Sequence, residues 1–469
     1  MVICARVDVA FLHAAVPVGA VSPNQSLRGS LSQMGGINGF FISILQGIHS
    51  FVGNYGWSVV LFTLLIRFVL LPLDIKQRKS MRAMQKIQPK QMELQRKYGH
   101  DQEKYNKKLQ ELYRKENVKP LAGCLPMLIS FPLLIIMFSA MRNLASEQSA
   151  RLLLNIVQSM PAMADGTTVQ SALSAIQIDL SALSITPEQI ESIIQSVTLS
   201  DVQIEAIRNL ATVTLSTDQI STIAGLLTSE QAVLLNEQLE MFLSGITLTA
   251  EQAQSIASGI EFESWLWIKN VFEPDSFMNS ILPAAREITQ DNASILTSLQ
   301  LSVIDGSEIL TNENLQVIAS FLKTPAYASI AQSMGADNFV RIPLNLLFFQ
   351  PTLTLPTSFG ALFSSANGLF ILPLFAALSQ LFMTKLTVPK QKGDSPIVAD
   401  QQQANPMNGA FMKWFMPLLS LWWCAGYNAA FAIYWCAVNI IQIAQTFFIN
   451  LYFERKDRQA AEAEAEGAK

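Results

Sequence analysis

Histidine, cysteine and charge are all scarce in this chain of 469 residues. Three histidines (His13, His49, His100) give no basis for a His-rich metal centre. Four cysteines (Cys4, Cys124, Cys424, Cys436) are too few and too scattered for a disulfide framework or a zinc knuckle. Charged residues make up 14%, where soluble globular proteins carry roughly 25%. The chain has no GxxxxGKS/T loop to cradle phosphates and no HExxH helix to hold zinc, so no cofactor and no metal are expected. No aspartate or histidine interrupts its apolar runs, which disfavours an intramembrane aspartyl protease, a serine protease dyad and most proton-coupled carriers. These absences exclude an ordinary cytosolic enzyme and a disordered chain, and no enzyme of any class is expected.

Long hydrophobic runs are what the chain does have. Hydrophobic residues make up 50% and mean hydropathy is +0.30. A bilayer needs about 20 apolar residues per spanning helix. Stretches free of acid and base predict five spans, at 55–73, 120–142, 367–385, 413–427 and 428–453. The last two come from one long run broken at Gly426-Tyr427-Asn428, which reads as a tight helical hairpin. Residues 37–54 are shorter, punctuated by glycine, and read as an interfacial amphipathic helix. Residues 1–36 are poorly patterned: they show no cleavable signal peptide, and Met34, where the patterning begins, is a candidate start.

Charge sets the expected orientation. Residues 74–119 carry fourteen Lys/Arg against six Asp/Glu, whereas 143–367 carry six against twenty-two. The positive-inside rule keeps the basic loop in the cytoplasm, with the loop 386–412 and the tail 454–469. The N-terminus is then outside and the C-terminus inside. The basic loop reads as a helical hairpin broken at Gly99-His100-Asp101, with a kink expected at Pro89. Lys76, Arg78, Lys79 and Arg82, with Met81 and Met84, form its contact face toward anionic lipid, ribosomal RNA or a protein partner.

The region 143–366 differs in kind. A short unit recurs at Thr186-Pro-Glu-Gln, Ser200-Asp-Val-Gln, Ser216-Thr-Asp-Gln, Thr228-Ser-Glu-Gln and Thr249-Ala-Glu-Gln. Each has a hydroxyl at N-cap and Gln at N3 ahead of an apolar run, the signature of a capping box. A chain of short amphipathic helices is expected, forming an extracytoplasmic helical insertion.

Arg67 is the most informative residue. It lies inside the first span, where an arginine at the bilayer centre costs ~2.5–3.5 kcal/mol even on the permissive insertion scale. Either it snorkels to the headgroups, or it faces a wet cavity and attracts an acidic partner supplied in trans, because no acidic residue falls within the five predicted spans. Other polar residues would line such a cavity: Thr63 one turn away, Ser130, Gln380, and the stripe of Trp435, Asn439 and Gln442, flanked by Tyr434. Taken singly, each is an ordinary helix-packing hydrogen bond.

At these residues the chain resembles a known family. NYGWSVVLFTLLIRFVLLPLDIKQRKSMRAMQKIQPK, then NVKPLAGCLPMLISFPLLIIMF, and YWCAVNIIQIAQ in the last span are similar to the bacterial insertases of the YidC/Oxa/Alb family. The resemblance covers somewhat under half the chain, SWLWIKN matching weakly. It implies an all-α membrane protein: a five-transmembrane-helix insertase core around a hydrophilic groove open to the cytoplasm, with a cytoplasmic helical hairpin. It implies nascent membrane proteins as partners, with the Sec translocon, the ribosome and anionic lipids as further ones, in a chain acting as a monomer in the bacterial plasma membrane. Arg67 is by this likeness the groove cation, with Thr63, Ser130 and Tyr434 or Trp435 at groove or substrate-sliding positions. The chain departs from the family at Ser130, often Gln; at Asn428-Ala429-Ala430, often Pro-Ala-Gly; and in its long insertion between the second and third spans. Two other functions fit the residues: a small-anion channel or transporter, and an assembly factor acting through its external helices.

Overall fold

Apolar stretches in lipid must satisfy their backbone internally, which favours continuous helix. Residues 25–116, 125–282, 292–304, 307–343, 352–387 and 410–467 are described in the computed structural model. They fall into two compact units, one of Pro17–Met141 with Phe370–Lys469, the other containing Arg142–Leu369.

Helix α1 (Gln25–Val52) begins before the expected interfacial segment and covers most of it. Its Asn38 amide donates to Ser139 Oγ at 2.8 Å. Helix α2 (Tyr55–Tyr98) is capped by Asn54, which accepts from the Trp57 amide at 3.1 Å. It runs through Pro72 and Pro89 as a single 44-residue element, so the first predicted span and the first hairpin arm are one helix. Asp101 caps α3 (Gln102–Lys115) by accepting from the Lys104 amide at 3.1 Å, which holds the Asp101 carboxyl below its ordinary range. The two arms are tied by Lys90–Glu116 at 2.7 Å and by Gln91 donating to the Tyr113 hydroxyl at 3.1 Å. Helix α4 (Leu125–Ser159) continues well past residue 142, where the second span was expected to end. Beyond that point Glu147 and Arg151 pair along the helix at 2.7 Å.

The unit 142–369 holds α5 (Val169–Ser174), β1 (Ile176–Asp179), α6 (Pro187–Ser196), α7 (Asp201–Arg208), β2 (Thr212–Leu215), α8 (Thr217–Ala224), α9 (Ser229–Ser244) and α10 (Ala250–Gly259). It continues with α11 (Asn292–Ser298), α12 (Asn312–Leu322), α13 (Pro325–Ser333), β3 (Phe339–Pro343), β4 (Thr352–Pro356) and α14 (Phe359–Ser364). The insertion is therefore not purely helical. β1 pairs antiparallel with β2, Ile176 opposite Leu215, and β3 pairs with β4, Phe339 opposite Pro356. IQID and TVTL alternate buried and exposed residues, a period-two pattern that suits a half-buried pair of strands. Ile176, Ile178, Val213 and Leu215 turn inward from the first of these strand pairs to pack with Ile193 and Ile207. A second core gathers Leu153, Leu154, Leu173, Phe321 and Tyr327, the last two rings meeting edge to face at 5.4 Å.

All five recurring units form capping boxes, at α6, α7, α8, α9 and α10. The glutamines do more than cap. Gln189 and Gln231 hydrogen-bond each other at 2.8 Å, and Gln203 donates to Gln219 at 3.1 Å. Their amide nitrogens also reach distant backbone: Gln231 donates to Ser184 O at 3.0 Å, Gln203 to Thr214 O at 2.7 Å and Gln219 to Thr198 O at 2.8 Å. Each oxygen serves its own helix start, while the N–H₂ groups of Gln189, Gln203, Gln219 and Gln231 tie those starts to other segments. Glutamate could do the first but not the second.

The chain leaves this unit through a polar latch. Asn367 accepts from the Asn270 amide at 2.8 Å and donates to Asn270 O at 3.0 Å and to Pro274 O at 2.8 Å. The fully buried Asp275 accepts from the Leu369 amide at 2.9 Å and from Trp267 Nε1 at 3.2 Å. Any side chain at Gly368 would strike the Asp275 carboxylate. Lys269, which donates to Ser364 O, is half-buried, and desolvation pushes its amine below the ordinary lysine range.

Helices α15 (Ile371–Thr387), α16 (Ala410–Gly426) and α17 (Ala429–Gly467) complete the first unit. Asn428 starts α17 by accepting from the Phe431 amide at 2.9 Å. The helix extends through the segment expected as a tail, whose alternating Ala and Glu are strong helix formers. Among the described residues, Tyr55–Met84 and Ala429–Lys456 are long and apolar enough to cross a membrane, and Ile371–Met383 is a shorter apolar helix. Phe68 and Val69 of α2 remain 76% and 66% exposed, so the apolar face points outward, as lipid-facing helices require.

Gln231→Glu keeps the oxygen that caps α9 and accepts from Gln189 Nε2, but loses the donor to Ser184 O and to Gln189 Oε1. It is expected to destabilise the unit by ~1–3 kcal/mol. Gln252→Glu, at a box whose side-chain bonds among the described residues are those of the cap, is expected to change stability by under about 0.5 kcal/mol. Thermal unfolding of the two variants, compared in parallel, checks both.

Candidate functional site

The spacing that put Trp435, Asn439 and Gln442 on one stripe of α17 turns that stripe toward two neighbours, α2 and α15. Asn439, almost fully buried, donates to Ser379 Oγ on α15 at 2.9 Å. One turn on, the Gln442 amide, with its oxygen toward α2, accepts from both terminal nitrogens of Arg67 at 3.0 and 2.9 Å. Arg67 is therefore held in a two-point hydrogen bond by a neutral group. The amide answers the guanidinium's donors without cancelling its charge.

A second contact follows along the same pair of helices. Arg78 donates to Thr446 Oγ1 at 2.5 Å, and that hydroxyl donates to Gln442 O, also at 2.5 Å. Arg82 lies over the Phe453 ring, 5.0 Å from its centroid. Three arginines of α2 thus meet α17 through an amide, a hydroxyl and an aromatic face. Asp74 lies on the same side of α2, within electrostatic reach of both Arg67 and Arg78. The continuous apolar helix Tyr55–Met84 includes it, one residue beyond the first expected span of 55–73. Aspartate had marked the end of the apolar run, but the helix carries on beyond it.

The other expected site residues divide. Tyr434 is buried within electrostatic reach of Arg67, its ring 6.4 Å from that of Phe431. Trp435 meets Trp423 edge to face at 5.9 Å, and its buried Nε1 has no hydrogen-bond partner among the described residues. Thr63 is buried but spends its hydroxyl on Val59 O of its own helix at 2.7 Å. Gln380 is half-buried on α15 beside Ser379, and it is Ser379 that meets Asn439. The side chain of Ser130 lies outside the described residues, as does that of Met81. Lys76 and Lys79 are exposed and Met84 is half-buried.

Ser379, Thr446 and Asp74 were not anticipated as site residues. Thr446 carried a readable signal, lying four residues after Gln442 and seven after Asn439 on the same stripe. Ser379 had none beyond adjacency to Gln380.

Known proteins bear on this arrangement. The sequence pattern of the family described as "60Kd inner membrane protein" matches residues 47–227 and 248–456. A membrane protein insertase YidC of Fusobacterium nucleatum is 42% identical over 104 residues, which cover 22% of this chain and 51% of that protein. The membrane protein insertase YidC of Thioalkalivibrio sulfidiphilus is 42% identical over 95 residues, 20% of this chain and 17% of that one. The like-named protein of Legionella pneumophila strain Corby is 38% identical over 118 residues, 25% of this chain and 21% of that one. The matches thus span about half the length of the first relative and about a fifth of the other two. With the family's pattern running through most of its length, the chain belongs to the 60Kd inner membrane protein family.

Proposed function

We propose that this chain is an insertase and chaperone that passes other membrane proteins into the lipid along the polar face between α2 and α17. The observation that carries the reading is Arg67 held by Gln442: a cation kept inside an apolar helix by a partner that leaves its charge available. An acidic residue in the polar tail of an incoming protein is attracted to that charge. The polar face shortens the low-dielectric path the tail must cross. Moving about 20 apolar residues of the substrate from water into lipid then supplies the driving force, with no nucleotide required.

In this reading α2, α4, α15, α16 and α17 are the five spans, with α1 at the interface. The basic hairpin of α2 and α3 and the C-terminal end of α17 lie in the cytoplasm, and the unit 142–369 lies outside. Its nascent substrates arrive from the ribosome or alongside the Sec translocon, and the hairpin's exposed Lys76 and Lys79 suit it to anionic headgroups. That the relatives of Fusobacterium nucleatum, Thioalkalivibrio sulfidiphilus and Legionella pneumophila are named membrane protein insertases supports the same reading.

Arg67→Gln is expected to reduce insertion of a single-spanning protein with an acidic external tail by about tenfold, in liposomes containing only this chain. Protease protection of the tail is the readout. Equal insertion by wild type and variant would demote Arg67 to a side chain that snorkels to the headgroups. Absence of insertion by well-folded wild type would overturn the autonomous insertase.

A further inference from the structure

The arginines of α2 share one stripe with a carboxylate. Asp74 follows Arg67 by seven residues and precedes Arg78 by four, so all three fall within about 20° of one helix face, spread over roughly 16 Å. Both guanidiniums donate to neutral groups, Arg67 to Gln442 and Arg78 to Thr446. Asp74 acts on both by charge, and its buried Oδ2 has no hydrogen-bond partner among the described residues. A carboxylate used only to brace the helix pair would be expected to form a two-point pair with one arginine, the strong geometry for that task. Here the arginines are braced by other partners and the carboxylate lowers the net charge of the stripe from two to one.

We infer that Asp74 is a built-in counter-ion that sets how strongly the Arg67 face attracts the acidic part of a substrate. It is a specificity-determining residue, acting through the arginines and not on the substrate. An incoming carboxylate competes with Asp74 for the same two cations. Tails with several acidic residues engage against that competition, and neutral tails are indifferent to it. Without Asp74 the face would bear two uncompensated positive charges and hold acidic tails more tightly. The inference rests on the insertase reading and adds to it the charge class of the substrate that the face prefers.

The test uses the full chain in liposomes of zwitterionic lipid and three single-spanning substrates that differ only in carrying zero, one or three aspartates in the external tail. Half-saturating substrate concentration for protected insertion is measured for wild type, Asp74→Asn, Asp74→Ser, Asp74→Glu and Arg67→Gln, at low and high salt. Asp74→Asn is expected to lower half-saturation for the one- and three-aspartate tails by about fivefold at low salt, less at high salt, and to leave the neutral tail unchanged. Asp74→Ser is expected to do the same, which covers a failure of one neutral variant to fold, and Asp74→Glu is expected to behave as wild type. If the neutral variants shift all three substrates equally, or none, while Arg67→Gln still weakens the acidic ones, Asp74 is no counter-ion and the groove reading stands without it. If Arg67→Gln also leaves acidic tails unaffected, the groove reading falls and the inference falls with it.

Discussion

The two-point hydrogen bond between Arg67 and Gln442 is the constraint on which the membrane-embedded half depends. An arginine on an apolar helix must find donors' partners or water, and a single amide supplies them at a fixed distance from a second apolar helix. That requirement sets the register of α2 against α17. Once it is set, Arg78 falls opposite Thr446 and Arg82 opposite Phe453. The same stripe of α17 meets α15 through Asn439 and Ser379. Polar groups thus fix how these helices face one another, while exposed Phe68 and Val69 turn away from that contact, Val69 onto the opposite side of α2. This reverses the soluble-protein arrangement and suits a chain whose solvent is lipid.

The unit 142–369 solves a different problem. Its helices are short, several of only eight to ten residues, and isolated helices of that length are marginal in water. Five of the starts are secured by reciprocal caps, and four of the cap glutamines bind one another or distant backbone. Local and tertiary stabilisation therefore use the same side chains. The polar latch of Asn270, Asp275 and Asn367 performs a related task where the chain leaves the unit.

Much of this was legible, for identifiable reasons. A capping box is a four-residue pattern, so all five could be read from the sequence, and Arg67 stood out against a run with no other charge. Gln442 was legible because its stripe has helical spacing. The bond between it and Arg67 was not, because nothing in either segment states which helices are neighbours. That α2 runs on past Asp74 was not legible, because a charge ends an apolar run without ending the helix. The strand pairs escaped notice because four alternating residues such as Ile176–Asp179 sit among ordinary Ile and Leu runs. The latch joins Asn270 to Asn367, 97 residues away, and no local pattern carries such a pairing.

The five reciprocal caps contain no ionisable atom in their cap bonds: every donor and acceptor is a hydroxyl, a carboxamide or a backbone group. Carboxylate caps weaken when protonated, and their interaction with the helix dipole is screened by salt. The cap bonds made by serine, threonine and glutamine do not titrate, so acidification removes none of them, and what pH and salt can still modulate at these starts is confined to first-turn carboxylates such as Glu188, Asp201, Glu230 and Glu251.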